Sequence, residues 1–322
     1  MACLCAEACG GRYVAITRGC PANTGDVVLL TLCRPDGGAL PPFQAGAHLD
    51  LHLGHNLVRP YSLYGDPADR HHYQLGILKA AQSQGGSLAA HALQLGDEVW
   101  VGEPRNLFAL EMGAKHSLLI GGGIGITPIL AMAATLQAAG RSFSLHYCAR
   151  TRQQAAFVAA LAQSSYASRV RLYFSDEQRL ALDSVLADVP ENTHVYVCGP
   201  ARLMDAVTAQ ASALGYRREQ IHQECFAAEG ATQGAAFDVT IASSGLRVRV
   251  AENQSIVEAL ALNGLKLCVS CKQGICGSCL TDVLEGEPDH RDSYLTEEER
   301  AANRLILPCC SRAKSSHLLL DL

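Results

Sequence analysis

From Tyr13 to about Leu110, apolar and polar residues alternate, or run apolar, over lengths that suit strands. Asp26-Val-Val-Leu-Leu-Thr-Leu32 is a nearly continuous apolar run. Gly46-Ala-His-Leu-Asp-Leu-His-Leu53 alternates, and Tyr73-Gln-Leu-Gly-Ile-Leu78 follows a turn at Gly65-Asp-Pro67. Side chains two apart share one face of a strand, so alternation buries one face and wets the other. Short strands at regular spacing, with Gly and Pro between them, predict a small antiparallel barrel. One helix is predicted to interrupt it, opening at Gly85-Gly86 with Ser87 as its cap and running through Leu93.

From about Gly113 the pattern changes to alternating strands and helices. Strands are predicted at His116–Ile120, Ser144–Cys148, Val170–Phe174 and His194–Cys198, with alanine-rich helices between them. The glycine-rich turn Gly121-Gly-Gly-Ile-Gly-Ile-Thr127 leads into a helix over Pro128 to Ala139, where a proline in the first turn loses no hydrogen bond. This pattern predicts a parallel sheet covered on both faces. Ala228 to Ala236 has no apolar anchor and reads as a linker. Beyond it, Phe237–Ile241 and Leu246–Val250 predict a hairpin around Ser244-Gly245, and Ser255 to Asn263 a helix.

A chain of 322 residues suggests two or three domains. With 48% apolar and 18% charged residues and a formal net charge of -5, the composition is that of a soluble protein with no reason to bind nucleic acid. No apolar run reaches the roughly eighteen residues of a membrane span. The stretch Met1-Ala-Cys-Leu-Cys-Ala-Glu7 does not read as a secretory signal.

The 14 cysteines change the picture. Cys271-Lys-Gln-Gly-Ile-Cys276-Gly-Ser-Cys279 is C-x4-C-x2-C, and 29 residues separate it from Cys309. That is the ligand spacing of a plant-type [2Fe-2S] cluster. The loop backbone must pass close to the sulfides, which Gly274 and Gly277 permit, and its N–H groups can tune the potential. A zinc ribbon is disfavoured, because its two knuckles are usually about fifteen to twenty residues apart. The other ten cysteines (Cys3, Cys5, Cys9, Cys20, Cys33, Cys148, Cys198, Cys225, Cys268 and Cys310) show no disulfide rhythm, which points to a reducing cytoplasm.

Other stretches are weaker alone. Arg59-Pro-Tyr-Ser62 offers a guanidinium for a phosphate, an aromatic face and a hydroxyl, though a surface arginine at a strand end is the plainer reading. Gly85-Gly-Ser87 at a helix start is a second possible phosphate cradle, so a flavin mononucleotide is conceivable. The Gly121–Gly125 turn lacks the G-x-G-x-x-G fingerprint, yet a pyrophosphate can lie on the N–H groups of the helix it opens. Cys198-Gly-Pro200 ends a strand at the carboxyl edge where open sheets bind ligands, but such a triplet is more often a tight turn.

Taken together, the order of these motifs resembles the phthalate dioxygenase reductase family, which includes the vanillate demethylase reductases. The likeness rests on Arg59-Pro-Tyr-Ser, Gly85-Gly-Ser, Gly121-Gly-Gly-Ile-Gly-Ile-Thr-Pro128, Cys198-Gly-Pro200, Glu224-x-Phe226, the cysteine cluster, His290-Arg-Asp292 and Cys309-Cys-Ser-Arg-Ala313. It implies a multidomain chain with an antiparallel flavin β-barrel (11–111), an α/β parallel-sheet NAD domain (112–227), a linker (228–236) and a C-terminal β-grasp ferredoxin domain (237–322). Arg59, Tyr61 and Ser62 would hold FMN, with Ser62 near the reactive ring nitrogen, and Gly85, Gly86 and Ser87 would receive its phosphate. Gly122, Gly123 and Thr127 would face the pyridine nucleotide, with Cys198, Gly199 and Pro200 near its nicotinamide. Phe226 would shield the flavin, and Cys271, Cys276, Cys279 and Cys309 would ligate iron, leaving Cys268 and Cys310 as free thiols. Ser62, Cys198 and Phe226 are the implied catalytic contacts.

Gln84 stands where relatives commonly have arginine, which leaves Arg59 and backbone donors to hold the phosphate. Arg150 and Arg152 could meet a 2′-phosphate and Asp176 would repel one; the resemblance favours NADH over NADPH. The implied activity is hydride transfer from NADH to FMN and two single-electron steps through the [2Fe-2S] cluster to a separate terminal Rieske oxygenase. The protein is expected to be a cytoplasmic monomer. A non-catalytic iron–sulfur carrier is the rival reading. Replacing Cys276 by Ser is expected to leave NADH-driven flavin reduction intact and to abolish oxygenase turnover, measured with the oxygenase encoded beside it; normal turnover would refute the scheme.

Overall fold

The computed structural model describes residues 12–21, 26–54, 57–80, 85–226, 233–267, 269, 274, 277–292 and 294–322. It comprises two compact units, Met1–Cys225 and Phe226–Leu322. Cys268, Cys271, Cys276, Gln84 and linker positions 228–232 lie outside the described residues.

The first unit opens with β1 (Arg12–Pro21), β2 (Val27–Cys33), β3 (Ala47–His52), β4 (Val58–Ser62), β5 (Tyr73–Leu78), helix α1 (Gly86–Ala92), β6 (Glu98–Val101) and β7 (Arg105–Asn106). These strands form one antiparallel sheet in the order β4-β3-β6-β1-β2-β5, with β7 beside β3. Inward residues two apart, such as Leu30 and Leu32, Leu49 and Leu51, Leu75 and Ile77, make its core.

The sheet curls into a barrel without a continuous closing ladder. Its edges meet at one bridge, Leu63 to Leu75, beside a Tyr64 N–H bond to the Gln74 carbonyl at 3.0 Å. Leu63 donates to Ala47. By the alternation of N–H direction, Pro60 therefore lacks its donor on the opposite edge, where a ladder to β5 would run.

Ser87 is not the cap of α1. Gly85 is, at φ 92°, a conformation open to glycine, and the helix opens at the predicted glycine pair. The Ser87 hydroxyl instead accepts the Ala80 N–H at 3.1 Å.

The parallel sheet contains β8 (His116–Gly122), β9 (Phe143–Ala149), β10 (Val170–Phe174), β11 (Thr193–Cys198) and β12 (Ile221–Glu224), ordered β10-β9-β8-β11-β12. Its helices are α2 (Ile126–Ala138), α3 (Val158–Gln163), α4 (Leu182–Ala187) and α5 (Ala201–Ala213). Both faces are covered. Leu119 joins Ile129, Met132 and Leu145 on one side, whereas Leu118 and Ile120 join Val195, Met204 and Val207 on the other. The edge strand β12, Ile-His-Gln-Glu, carries too little apolar pattern to be read from sequence.

The second unit comprises β13 (Phe237–Ile241), β14 (Arg247–Val250), α6 (Ile256–Leu262), β15 (Thr281–Glu285), β16 (Pro288–Asp289), α7 (Glu297–Ala302), β17 (Leu305–Ile306), β18 (Arg312–Ala313) and β19 (His317–Asp321). The order β14-β13-β19-β15-β17, with β13 and β19 parallel and the other pairs antiparallel, is a β-grasp sheet.

Arg312 is buried over the Phe237 ring at 5.0 Å and donates to the carbonyls of Gln254 (2.5 Å), Ala235 (3.1 Å) and Ala251 (3.0 Å). Arg291 donates to the Gln233 carbonyl at 2.6 Å. The end of the predicted linker is therefore fastened to this unit.

Among the described residues no helix is long and apolar enough to cross a membrane. Ser255 caps α6 reciprocally with Glu258, at 3.1 Å and 2.9 Å. Ser255→Ala is expected to lower the stability of this unit by about 1 kcal/mol, read from its calorimetric unfolding transition.

Candidate functional site

Two strand pairs from different sheets converge on one carboxyl. His48 of β3 lies opposite Ser62 of β4, and Cys198 of β11 lies opposite Glu224 of β12. The Ser62 hydroxyl donates to Glu224 Oε2 at 3.2 Å, and His48 Nδ1 stands 3.9 Å from Oε1. All four residues are buried. Burial pushes the Glu224 carboxyl up to about 8, although the Ser62 hydrogen bond pulls the other way. An ionised Glu224 is thus disfavoured at this depth. Burial, followed by the neighbouring Glu224 and Cys225, raises the Cys198 thiol well above its ordinary range, so this cysteine is a neutral packing surface and not a nucleophile.

Arg59 reaches the start of α1. A Cβ on Gly86 would lie 2.6 Å from Arg59 Cγ and 3.1 Å from Nε, so only glycine lets the guanidinium stem lie there. The Arg59 Nη1 group also donates to the Val58 carbonyl at 3.0 Å. Tyr61 is half-buried against the barrel core. Arg59 lies beside Gly86 at the start of α1, with Gly85 and Ser87 adjoining it in the chain.

The loops after β8 and β11 pass backbone to backbone. A Cβ on Gly199 would lie 2.8 Å from Gly122 Cα, one on Gly122 would lie 2.8 Å from Pro200 Cδ, and one on Gly125 would lie 2.4 Å from the Cys198 carbonyl oxygen. Gly122, Gly199, Pro200 and Cys198 therefore form one wall at the carboxyl edge of the parallel sheet. Thr127 is buried, and its hydroxyl donates to the Ile124 carbonyl at 3.0 Å, bracing the helix start. Phe226 is exposed, two residues beyond β12. On the far strands, Arg152 lies over the Phe174 ring at 4.4 Å and pairs with Glu177 at 3.4 Å.

In the second unit, Cys279 and Cys309 are buried in one cluster with Leu295, Leu307 and Cys310. Gly274 and Gly277 have φ of 72° and 71°. A Cβ on Gly274 would lie 2.4 Å from Cys310 Sγ, and one on Gly277 2.3 Å from Tyr294 Cζ. The loop is thus pressed against its neighbours where the chemistry needs backbone close to sulfide. Cys310 Sγ lies 3.8 Å from the Leu307 carbonyl and 3.8 Å from Ser311 Oγ, its place taken up by packing. Buried thiols beside a glycine-lined loop fit an iron–sulfur cluster, and the glycine wall of the first unit fits a dinucleotide.

Comparison with known proteins agrees with this chemistry. The family described as "2Fe-2S iron-sulfur cluster binding domain" matches residues 239–314, and "Dimethylamine monooxygenase subunit DmmA-like, N-terminal domain" matches residues 104–221. The vanillate O-demethylase oxidoreductase of Pseudomonas sp. (strain HR199 / DSM 7063) is 47% identical over 303 residues, covering 92% of this chain and 96% of that protein. The solved phthalate dioxygenase reductase, described as a modular structure for electron transfer from pyridine nucleotides to [2Fe-2S], is 35% identical. It superposes with a TM-score of 0.84 over 98% of this chain and 99% of that one. The chain belongs to the phthalate dioxygenase reductase family. Another similar protein is the carnitine monooxygenase reductase subunit of Escherichia coli (strain K12), 40% identical over 93% of this chain and 95% of that protein. As a member of the family, the chain is an oxidoreductase whose second unit is a 2Fe-2S domain.

Sequence reasoning quoted Glu224 within a motif but gave it no role, and it did not single out His48. Neither has a local signal, because their meeting depends on strands 176 residues apart, from 48 to 224. The raised Glu224 carboxyl has a stability consequence. Between its ordinary 4.5 and about 8, the folded chain holds a proton that the unfolded chain has released. Stability therefore falls as pH rises through that window and levels off above it. Glu224→Gln, which has no proton to lose, is expected to remove that fall, gaining on the parent by roughly 1 kcal/mol per pH unit. Thermal unfolding of the first unit at pH 5, 6.5 and 8 measures it, and parallel profiles would contradict it.

Proposed function

We propose that this chain is the NADH-dependent reductase component of a Rieske-type oxygenase system, acting as a monomer in the cytoplasm. The reading is supported by one observation: a single chain holds a buried polar edge at Ser62, Glu224 and Cys198 and a separate pair of buried thiols, Cys279 and Cys309. The flavin region spans 11–111, the nucleotide region 112–227 and the cluster region 237–322, joined by 228–236. A bound FMN would supply the conversion between a two-electron donor, NADH, and a one-electron acceptor, the [2Fe-2S] cluster.

The remaining work belongs to the residues. Arg59, with the backbone of Gly85, Gly86 and Ser87, binds the FMN phosphate, and Tyr61 flanks the flavin. Ser62 would hydrogen-bond the reactive edge of the ring, with the buried Glu224 carboxyl behind it in contact with Ser62 Oγ. Gly122, Gly123 and Thr127 shape the pyrophosphate turn. Cys198, Gly199 and Pro200 would give the nicotinamide an uncharged wall. Arg152 is already engaged with Phe174 and Glu177, and Asp176 repels a 2′-phosphate; both support NADH. Cys271, Cys276, Cys279 and Cys309 would ligate the iron, and the oxygenase would be the electron acceptor.

Anaerobic titration with NADH, followed by visible absorbance and low-temperature EPR, tests the reading. Bleaching of a flavin band together with a reduced-cluster signal is expected, and an iron-containing protein with no extractable flavin would instead support a carrier. Arg59→Ala is expected to weaken FMN binding roughly ten- to hundredfold, as loss of a charge-assisted contact does, measured by flavin fluorescence on dilution.

A further inference from the structure

We infer that Asp292 is the positioning residue of the iron–sulfur site, binding together the three segments that surround it and setting the potential of the cluster they hold. The inference rests on the reading of the second unit as cluster-binding.

The Asp292 side chain is fully buried, and its contacts are with donors. Oδ2 accepts the N–H groups of Tyr294 at 3.2 Å and Leu295 at 2.8 Å, which turns the chain ahead of α7. Oδ1 accepts the hydroxyl of Ser311 at 3.3 Å, and that hydroxyl in turn accepts the Arg291 N–H at 3.1 Å. Arg300 donates to the Asp292 carbonyl at 2.5 Å and stands 3.8 Å from Oδ2, while His290 Nδ1 stands 3.7 Å from Oδ1.

Two of these partners, Ser311 and Tyr294, lead to the distant ligand and to the cluster loop. Ser311 is two residues beyond Cys309. Tyr294, whose N–H the carboxylate holds, presses its ring on Gly277, between Cys276 and Cys279. The Gly274 backbone lies directly on Asp292, because a Cβ there would be 2.8 Å from both Asp292 Cα and Cβ. One carboxylate therefore ties the backbone at Gly274 and, through Tyr294, at Gly277 to the turn that carries Cys309. Its negative charge, buried beside the site, opposes the added electron of a reduced cluster.

Two variants of the full-length, cluster-loaded protein test this. Asp292→Asn removes the charge and one acceptor; Ser311→Ala keeps the charge and removes the link to the Cys309 turn together with the acceptor of the Arg291 N–H. Asp292→Asn is expected to raise the cluster potential and to speed cluster loss to a chelator roughly tenfold, the effect of one lost charge-assisted hydrogen bond. Ser311→Ala is expected to speed cluster loss and alter the EPR line shape with little change in potential.

If both variants match the parent in potential, EPR spectrum and rate of cluster loss, the inference is overturned. Should Asp292→Asn fold poorly, Ser311→Ala decides, since it leaves the carboxylate in place. Iron and sulfide analysis of the unaltered protein separates the two layers: a parent without cluster refutes the functional reading itself, whereas a loaded parent with unaffected variants refutes only the role of Asp292.

Discussion

The first unit depends on the placement of one uncharged carboxyl. Glu224 ends the edge strand of the parallel sheet and receives the hydroxyl of Ser62 from the barrel. An ionised carboxylate at such depth would be strongly disfavoured, and here it keeps its proton, its pKa pushed up to about 8. The same burial keeps the adjacent Cys198 thiol neutral. At the edge where the two sheets meet, burial therefore disfavours negative charge on both groups. That suits chemistry in which charge enters with the substrate.

The second unit uses the opposite solution. Asp292 and Arg312 are buried with many hydrogen-bond partners, so each charge is matched by groups that would otherwise need water. Arg312 fastens the incoming segment around Gly234 to Ala235 and the turn before α6. Asp292 fastens the loops around the thiols. Breaking either network would leave buried polar groups unsatisfied, which is more damaging than the loss of an exposed ion pair such as Arg152 to Glu177.

Close backbone approach is the other recurring device. Gly122 against Gly199, Gly125 against the Cys198 carbonyl, and Gly277 against Tyr294 leave no room for a Cβ. In the first unit this opens a wall for a dinucleotide; in the second it brings a loop close to the site of its cysteines. The two surfaces handle different numbers of electrons, yet both need the main chain nearer than any side chain would allow.

Much of this was legible from the order of residues. Strand periodicity located Val170–Phe174 and Phe237–Ile241 at their observed bounds, and cysteine spacing named the cluster, because both are local signals carried by neighbours along the chain. The cap of α1 was misplaced at Ser87, since the preference for a hydroxyl yielded to the positive φ that Gly85 supplies. The open barrel seam and the polar edge strand β12 were not legible, because closure and pairing depend on which strands become neighbours. The partners of Glu224 and Asp292 belong to the same class: a lone carboxylate in sequence carries no sign of depth. The sequence by itself determined which chemical groups the protein has and roughly which elements carry them. Only the tertiary structure decided which carboxyl holds a proton and which is held by donors, because desolvation and hydrogen bonding arise from contacts between segments far apart in the chain.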